Sequence, residues 1–564
     1  MQEKVQKKAQ KSSEALSWLN DNTKHIYIRL GFLTFLAMSM SIISVRLAWM
    51  TKIALDAATK VTNDNLYFRI IEIFALIILQ VSIQIIYSKV NVKLTARYSM
   101  SLKESLFNHL MKKNWQKVSA YHSGELLNRI NSDIGVITSG VVSIIPNAIA
   151  LSARVILSFG SLFNLDRNLA LVYLIASPFI FISTRLYGKK MKTLHKKCQE
   201  TDGATKSFMQ ECLQNLLVIK AYKNQDKITA ASGKFQMANF FYTIRRNNTS
   251  ILMNIVFFMA LTAGYYATMS YCAVKISVGL MTYGTMAVIL QLISSVQVPF
   301  KDLSGLIPQY YGVIASSERV MELENISDEQ NDLISDTSWK AIEIENIAFA
   351  YDNEQIFKNA GLTFEKGDFL AICGISGIGK STLMKLIMGI LKPDGGKITI
   401  LPECADTKAS EPVEKPTIEK SCEKSLFSYV PQGNMILSGT IKENIAFYSD
   451  IDNEKIEKAA KAAELYEFIE TLPNKFETNL GEKGLGLSEG QVQRLAIARA
   501  VYYDAPIILL DEATSALDED TEYKVLKNIK ELRNKSCIII SHKNAALTVC
   551  NKKIAIRGMK IEKM

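Results

Sequence analysis

The sequence predicts an α-helical membrane domain of six transmembrane helices with long extensions beyond the bilayer, followed by an α/β domain on a largely parallel sheet. Two observations carry this prediction. Long apolar stretches fill the chain up to about Gln309 and then stop. From Ala341 onward, short β-type runs alternate with helical patterns: Ile342–Ile347, Phe369–Cys373, Ile398–Leu401, Ile507–Leu510 and Cys537–Ile540. That alternation is the mark of strands joined by crossover helices.

A bilayer core about 30 Å thick needs about 20 mostly apolar helical residues. Six stretches qualify: Ile26–Ala54, Tyr67–Ser88, Ile134–Leu165, Leu169–Leu186, Ile251–Ala273 and Gly284–Gly312. The connections Lys89–Asp133 and Gly188–Thr249 are long, helical and rich in Lys and Arg. The connections Ala57–Leu66, Asp166–Asn168 and Val274–Tyr283 are short. Basic loops stay on the cytosolic side, so the long connections and the Lys-rich N-terminus are expected inside. Six crossings then return the chain to the cytosol.

The chain has 564 residues and a formal net charge of +11, with 48% hydrophobic and 21% charged residues. That length predicts more than one domain. A basic balance can indicate nucleic acid, but here the cations gather beside apolar spans, so a lipid bilayer and no nucleic acid is the expected partner. The eight cysteines form no C-x-x-C pair, so no zinc or redox spacing is present. Met1–Lys11 has no apolar core and no small-residue cleavage site, so no signal peptide is expected. Ser13–Asn20 is expected as a short amphipathic helix on the inner membrane surface. The organisation expected is a transmembrane domain over 1–325, an acidic linker over 326–340 and an α/β domain over 341–564. Within the last, Pro402–Lys424 is rich in Pro, Glu and Lys and poor in apolar residues, which predicts a surface insertion.

The α/β part carries the chemistry. The strand-like Phe369–Cys373 leads into Gly374-Ile375-Ser376-Gly377-Ile378-Gly379-Lys380-Ser381-Thr382, and a helical run follows. This is G-x-x-x-x-G-K-S between a strand and a helix. Its glycines let backbone N–H groups curl around phosphates, and the helix N-terminus adds partial positive charge. Lys380 would reach the β- and γ-phosphates of ATP, and the Ser381 hydroxyl would ligate Mg²⁺. A second apolar strand, Ile507–Leu510, ends in Asp511 and Glu512. Asp511 suits Mg²⁺, directly or through water, and Glu512 suits polarising the attacking water. The domain is therefore expected to be a P-loop ATPase.

Leu487-Ser488-Glu489-Gly490-Gln491 resembles the signature motif of ATP-binding cassette (ABC) proteins. The common form there is LSGGQ, so Glu489 is a departure. The resemblance extends over the whole cassette. Tyr351 stands where the family stacks an aromatic on adenine, and Gln432 in VPQ matches the Q-loop, whose glutamine also serves the metal. Ser515-Ala516-Leu517-Asp518 matches the D-loop, His542 matches the switch histidine, and Gly481-Glu482-Lys483-Gly484 resembles a loop that exporters set against their coupling helices. Upstream, Tyr121–Asp133 and Glu211–Tyr222 look like exporter segments around the two coupling helices.

The resemblance implies an exporter-type half-transporter in a bacterial inner membrane, moving a peptide, lipid or amphiphile by ATP hydrolysis. In that family two cassettes pair head to tail, so a second half-transporter, identical or different, is implied. Ser488, Gly490, Gln491 and Asp518 would then complete the nucleotide site, with Glu512 and His542 as catalytic groups. An importer or an ATP-gated channel on the same scaffold is the alternative. Arg46, Glu72 and Arg154 fall in or near apolar spans, where a charge is expected to face a cavity, to pair with an opposite charge on another helix or to snorkel to the membrane surface.

Overall fold

A computed structural model describes residues 2–121, 123–329, 339–351, 354–402, 426–433, 436–481 and 486–564. The backbone alone is described at 2–10, 12, 176–186, 188–189, 192, 297–305 and 307–308. All but Pro402 of the insertion expected at 402–424, most of the 326–340 linker and all but Gly481 of the 481–484 loop lie outside the described residues. The chain divides into two units, Met1–Asp328 and Glu329–Met564.

The first unit is entirely helical. Its elements are α1 (Gln2–Thr23), α2 (Tyr27–Ala58), α3 (Leu66–Lys112), α4 (Trp115–Ser119), α5 (Ser123–Asn128), α6 (Ile134–Leu165), α7 (Arg167–Gln214), α8 (Leu216–Ala221), α9 (Gln225–Ser277) and α10 (Tyr283–Glu324). At 1.5 Å per residue, the 47 residues of α3 run about 70 Å. That is far more than a bilayer core needs, so the helix carries its apolar half and its basic half in one rod. Among the described residues, the stretches Ser13–Ala58, Leu66–Lys112, Ser123–Leu165 and Gln225–Ser277 are long and apolar enough to cross a membrane, with a shorter apolar helix at Tyr283–Val296. The expected spans Leu169–Leu186 and Gly284–Gly312 lie within α7 and α10, where many side chains are not described. Apolar side chains such as Ile71, Phe74, Ile78 and Phe258 stand exposed on these rods, as a lipid-facing surface requires.

The helix expected at Ser13–Asn20 is part of the longer α1, and one of its faces is packed. Ala15 and Leu19 join a core with Leu106, Leu110 and Leu323. The Trp18 Nε1–H donates to Glu324 at 2.6 Å. A π-helical turn, Arg129–Asp133, joins α5 to α6. It buries two charges, each partnered: Arg129 donates to Glu125 and to the Arg319 carbonyl, both at 2.7 Å, and Asp133 accepts from Arg319 at 2.8 Å and Ser316 at 3.0 Å.

The second unit is α/β. A three-stranded antiparallel sheet contains β1 (Trp339–Tyr351), β2 (Glu354–Glu365) and β4 (Gly395–Pro402), in the order β2-β1-β4. The larger sheet contains β3 (Phe369–Cys373), β5 (Phe427–Val430), β8 (Ile507–Asp511), β9 (Ser536–Ile540), β10 (Lys552–Arg557) and β11 (Lys560–Lys563), in the order β11-β10-β3-β9-β8-β5. All its pairs are parallel except β10–β11. β6 (Gly439–Thr440) and β7 (Asn479–Leu480) form a short ribbon. The helices are α11 (Lys380–Ile387), α12 (Ile441–Ala446), α13 (Asn453–Ala462), α14 (Tyr466–Thr471), α15 (Glu489–Tyr503), α16 (Glu519–Glu531) and α17 (Asn544–Val549).

Strand β8 explains why the sheet's sequence reads as an unbroken apolar run. Ile508 and Leu510 face one core, and Ile507 and Leu509 face the other. Both faces of a parallel sheet are covered, so alternation vanishes from the sequence.

Candidate nucleotide site at the carboxyl ends of the parallel strands

Neighbouring strands β3, β9, β8 and β5 each release a loop at their carboxyl ends, and these loops hold the expected groups. Open α/β sheets bind ligands at this edge. After β3, residues 374–379 turn back to the N-terminus of α11. Gly379 caps that helix at φ 106°, and a Cβ there would lie 2.4 Å from Ile356 and 3.2 Å from Phe357. Only glycine satisfies both the left-handed backbone and the close approach of β2. The same approach brings β2 to the side of the loop, and Tyr351 at the end of β1 pairs with Glu354 of that strand. The Tyr351 ring stands edge-on to Phe349, at 5.0 Å between centroids.

Lys380 is buried at the start of α11. Its ammonium donates to the Gly374 carbonyl at 2.7 Å and the Ile375 carbonyl at 3.1 Å, and lies 3.3 Å from Nε2 of His542. Thr382, one step beyond Ser381, is buried, while Ile375 at the tip of the loop is exposed. Ser376, Gly377 and Ile378 complete the turn. A cavity of about 460 Å³ opens between Gly374, Ile375, Ile378 and His542 on one side and Ile556, Arg557 and Met564 on the other, with none of Ser381, Asp511, Glu512 or Gln432 in its lining. The loop and His542, 162 positions apart in the chain, therefore form one wall.

The two acids follow β8. Asp511 is 1% exposed and accepts from Ser381 at 2.9 Å and from the Tyr429 hydroxyl at 3.0 Å. Burial pushes its carboxyl above the ordinary range, although both hydroxyl donors oppose this. Burial and the adjacent carboxylate push the Tyr429 phenol well up, so it remains a donor. Glu512 leaves the strand with φ 52°, in the left-handed region. Its carboxylate accepts from the Gln432 amide nitrogen at 2.6 Å, which leaves the Gln432 amide oxygen as that side chain's possible ligand.

These donors fit Mg²⁺. Ser381, Asp511 and Gln432 offer hard oxygens, and Mg²⁺ characteristically takes one or two carboxylates together with substrate phosphates. Among the described residues, no group of three or more His, Cys, Asp and Glu could hold an ion alone.

The remaining expected residues form a second cluster. Ser488 caps α15 in a reciprocal box with Gln491: its hydroxyl accepts from the Gln491 N–H at 3.3 Å, and the Gln491 amide oxygen accepts from the Ser488 N–H at 2.8 Å. A Cβ on Gly490 would lie 3.2 Å from the Ala516 carbonyl, so glycine lets α15 press against the loop after β8. Asp518 caps α16 by accepting from the Thr521 N–H at 2.9 Å. None of the described hydrogen bonds joins Ser488, Gly490, Gln491 or Asp518 to the phosphate loop.

Four further residues bind these loops together. Gln493 donates to Ser515 at 2.8 Å and accepts from the Ala516 N–H at 2.9 Å. Glu522 is fully buried and accepts from Thr514 at 2.7 Å and Ser541 at 3.3 Å, with the Lys543 ammonium 3.7 Å away. Tyr429 is the fourth. The sequence signal for each is weak, because each acts on a loop remote in the chain.

In the helical unit, Glu72 pairs with Arg69 on its own helix at 2.7 Å. Arg154 donates to the Ser295 hydroxyl at 3.3 Å, and its buried Nε has no partner among the described atoms. The Ser158 hydroxyl, one turn further along α6, is likewise buried without one. Arg46 is exposed on α2.

A helical membrane unit fused to an α/β unit with this loop, these acids and this histidine defines a membrane protein driven by nucleotide hydrolysis. Comparison with known proteins agrees. Residues 30–300 match the ABC transporter transmembrane region and residues 357–515 match the ABC transporter family. An ATP-dependent lipid A-core flippase from Desulfotalea psychrophila is 30% identical over 471 residues, covering 81% of this chain and 79% of that protein. ABC transporter B family member 1 from Dictyostelium discoideum is 30% identical over 485 residues, covering 83% of this chain. The chain spans about half, 51%, of that longer protein. The structure of a bacterial Atm1-family ABC exporter with ATP bound shares the fold, with a TM-score of 0.79 at 22% identity over 95% of each chain. The chain belongs to the ABC transporter family: it is an integral membrane protein and an ATPase coupled to export.

Proposed function

We propose that this chain is one half of a dimeric exporter whose cargo is an amphiphile with an anionic group. The ATPase domain and the N-terminus would lie in the cytoplasm of a bacterial cell, and the helical unit in its inner membrane. The observation that carries the ATPase reading is the meeting of Lys380 with His542, Ser381 with Asp511 and Gln432 with Glu512 at one sheet edge.

Each residue then has a task. The Lys380 ammonium turns from its two loop carbonyls to the β- and γ-phosphates of ATP. Tyr351 offers its ring to adenine. Ser381, Asp511 and Gln432 would hold Mg²⁺, which when bound would neutralise charge on the phosphates. Glu512 orients the attacking water, and His542 contacts the γ-phosphate side. Ser488, Gly490 and Gln491, with Asp518 beside them, stand apart from their own phosphate loop and would close over the nucleotide of a second half-transporter. The closed dimer binds ATP better than the open one, and that difference drives the change of access.

The cargo reading rests on Arg154. Its guanidinium stays charged at any physiological pH and is met by a serine hydroxyl, with no carboxylate partner among the described residues. A carboxylate or phosphate on an amphiphile would satisfy it and Ser158 together. The naming of one relative as a lipid A-core flippase agrees with a lipid-like cargo. The test is ATPase stimulation of the reconstituted protein by matched anionic and zwitterionic amphiphiles. Stimulation confined to the anionic member supports the reading, and equal stimulation by both overturns it.

A further inference from the structure

Asp511 is fastened from two sides, and only one of its partners belongs to the phosphate loop. Ser381 donates to Oδ1 at 2.9 Å and Tyr429 donates to Oδ2 at 3.0 Å. With the residue 1% exposed, water has little access to replace either hydroxyl. The tyrosine arrives through strand register. β5 runs parallel to β8 with Tyr429 opposite Leu509. Leu509 and Asp511 are two residues apart and share a sheet face. The phenol leans along the strand direction and spans that single step. Its ring packs against the core formed by Leu370, Leu509 and Ile538, which holds the hydroxyl in place. Three residues on, Gln432 reaches Glu512. One short segment thus touches both acids, Tyr429 from the rigid strand and Gln432 from the loop after it.

We propose that Tyr429 is a positioning residue for the divalent metal: its hydroxyl fixes the Asp511 carboxylate in the orientation Mg²⁺ demands, and so sets the site's affinity for Mg²⁺ and its preference over larger cations. The inference rests on the assignment of Ser381 and Asp511 to Mg²⁺ made above. Mg²⁺ requires near-ideal octahedral geometry at about 2.0–2.1 Å, whereas Ca²⁺ accepts looser arrangements at about 2.3–2.6 Å. A carboxylate free to turn therefore penalises Mg²⁺ more than Ca²⁺. Removing a group that holds a metal ligand from behind typically costs about 10–100-fold in metal affinity. Asp511 would keep its second hydroxyl donor, so the lower end of that range is expected.

The variant is Tyr429→Phe, which keeps the ring and its packing and loses only the donor. Binding of a fluorescent ATP analogue to the full-length protein in nanodiscs is measured in EDTA, in Mg²⁺ and in Ca²⁺. The factor by which each metal tightens nucleotide binding reports metal binding by linkage. The expected result is a Mg²⁺ factor reduced about tenfold, a Ca²⁺ factor reduced less, and unchanged affinity in EDTA. An unchanged Mg²⁺ factor overturns the proposal. Equal losses for both metals, or a loss already present in EDTA together with a lower melting temperature, also overturn it, because they mark general damage. Ser381→Ala is run alongside. If it leaves the Mg²⁺ factor intact, the metal assignment itself has failed, which is distinguishable from failure at Tyr429 alone.

Discussion

Glu512 holds its backbone at φ 52°, a conformation that costs a non-glycine residue about 1–3 kcal/mol. The turn breaks the strand's alternation at the residue after Asp511, so two adjacent acids serve different partners. Asp511 stays buried against Ser381 and Tyr429, while Glu512 reaches Gln432. Glu512→Gln keeps the shape and removes the charge. ATP binding should persist while turnover falls about 10²–10⁴-fold, and steady-state ATPase with nucleotide binding on one preparation checks both. Lys380→Ala removes the ammonium beside the loop carbonyls, and nucleotide affinity should fall at least about tenfold, since charged hydrogen bonds contribute about 1.5–3 kcal/mol. Equilibrium nucleotide binding decides that. At this scale the sequence displayed the groups that stand in motifs at strand ends, Lys380, Ser381, Gln432, Asp511, Glu512 and His542. It hid Tyr429, Gln493, Glu522 and Lys543. The partners of Tyr429 and Lys543 are set by strand order, which places β5 and β9 on either side of β8, and those of Gln493 and Glu522 by the packing of α15 and α16 against the loop after β8; no local pattern encodes either.

At the scale of elements, the corner between α6 and α7 shows how a short connection is held. Asp166 caps α7 by accepting from the Asn168 and Leu169 N–H groups, and it pairs with Lys275 of α9 at 2.7 Å, with the Tyr271 hydroxyl at 3.3 Å. Burial pushes its carboxyl up, but the Lys275 ammonium, the Leu169 N–H and the Tyr271 hydroxyl outweigh this and leave it below the ordinary 3.8. A carboxyl depressed by folding contributes its full stabilisation above the unfolded value. That contribution is lost as pH falls through the lower folded value. Thermal unfolding of the intact protein should thus show a stability loss below about pH 4 that Asp166→Asn lacks. The variant should already be less stable at pH 7, by about 1–3 kcal/mol. An identical acid profile in both proteins would remove Asp166 from the account. The long rods were legible because apolar length is a direct physical requirement of the bilayer. The π-turn at Arg129–Asp133 and the packed face of α1 were not, because both depend on the far end of α10, nearly two hundred residues or more away.

For the whole molecule, the division of labour separates chemistry from cargo. Arg154 lies in the helical unit and none of the nucleotide groups does. Arg154→Gln should therefore lower ATPase stimulation by an anionic amphiphile several-fold and leave the basal rate near wild type. Equal loss of basal and stimulated rates, with a lower melting temperature, would assign Arg154 to packing. The two-unit architecture could be read from the sequence because hydropathy and strand alternation change abruptly between them. The cargo could not, since a lone arginine in an apolar span has the same signature whether it packs or binds. Hydrolysis at Glu512 should move cargo across a bilayer. The most direct measurement is uptake of a labelled anionic amphiphile into inside-out proteoliposomes, with wild type and Glu512→Gln compared at saturating Mg²⁺-ATP. Wild type should show uptake that stops without ATP, and the variant should show none. Uptake by the variant at the wild-type rate, or none by a wild type that hydrolyses ATP in response to the same amphiphile, would contradict it.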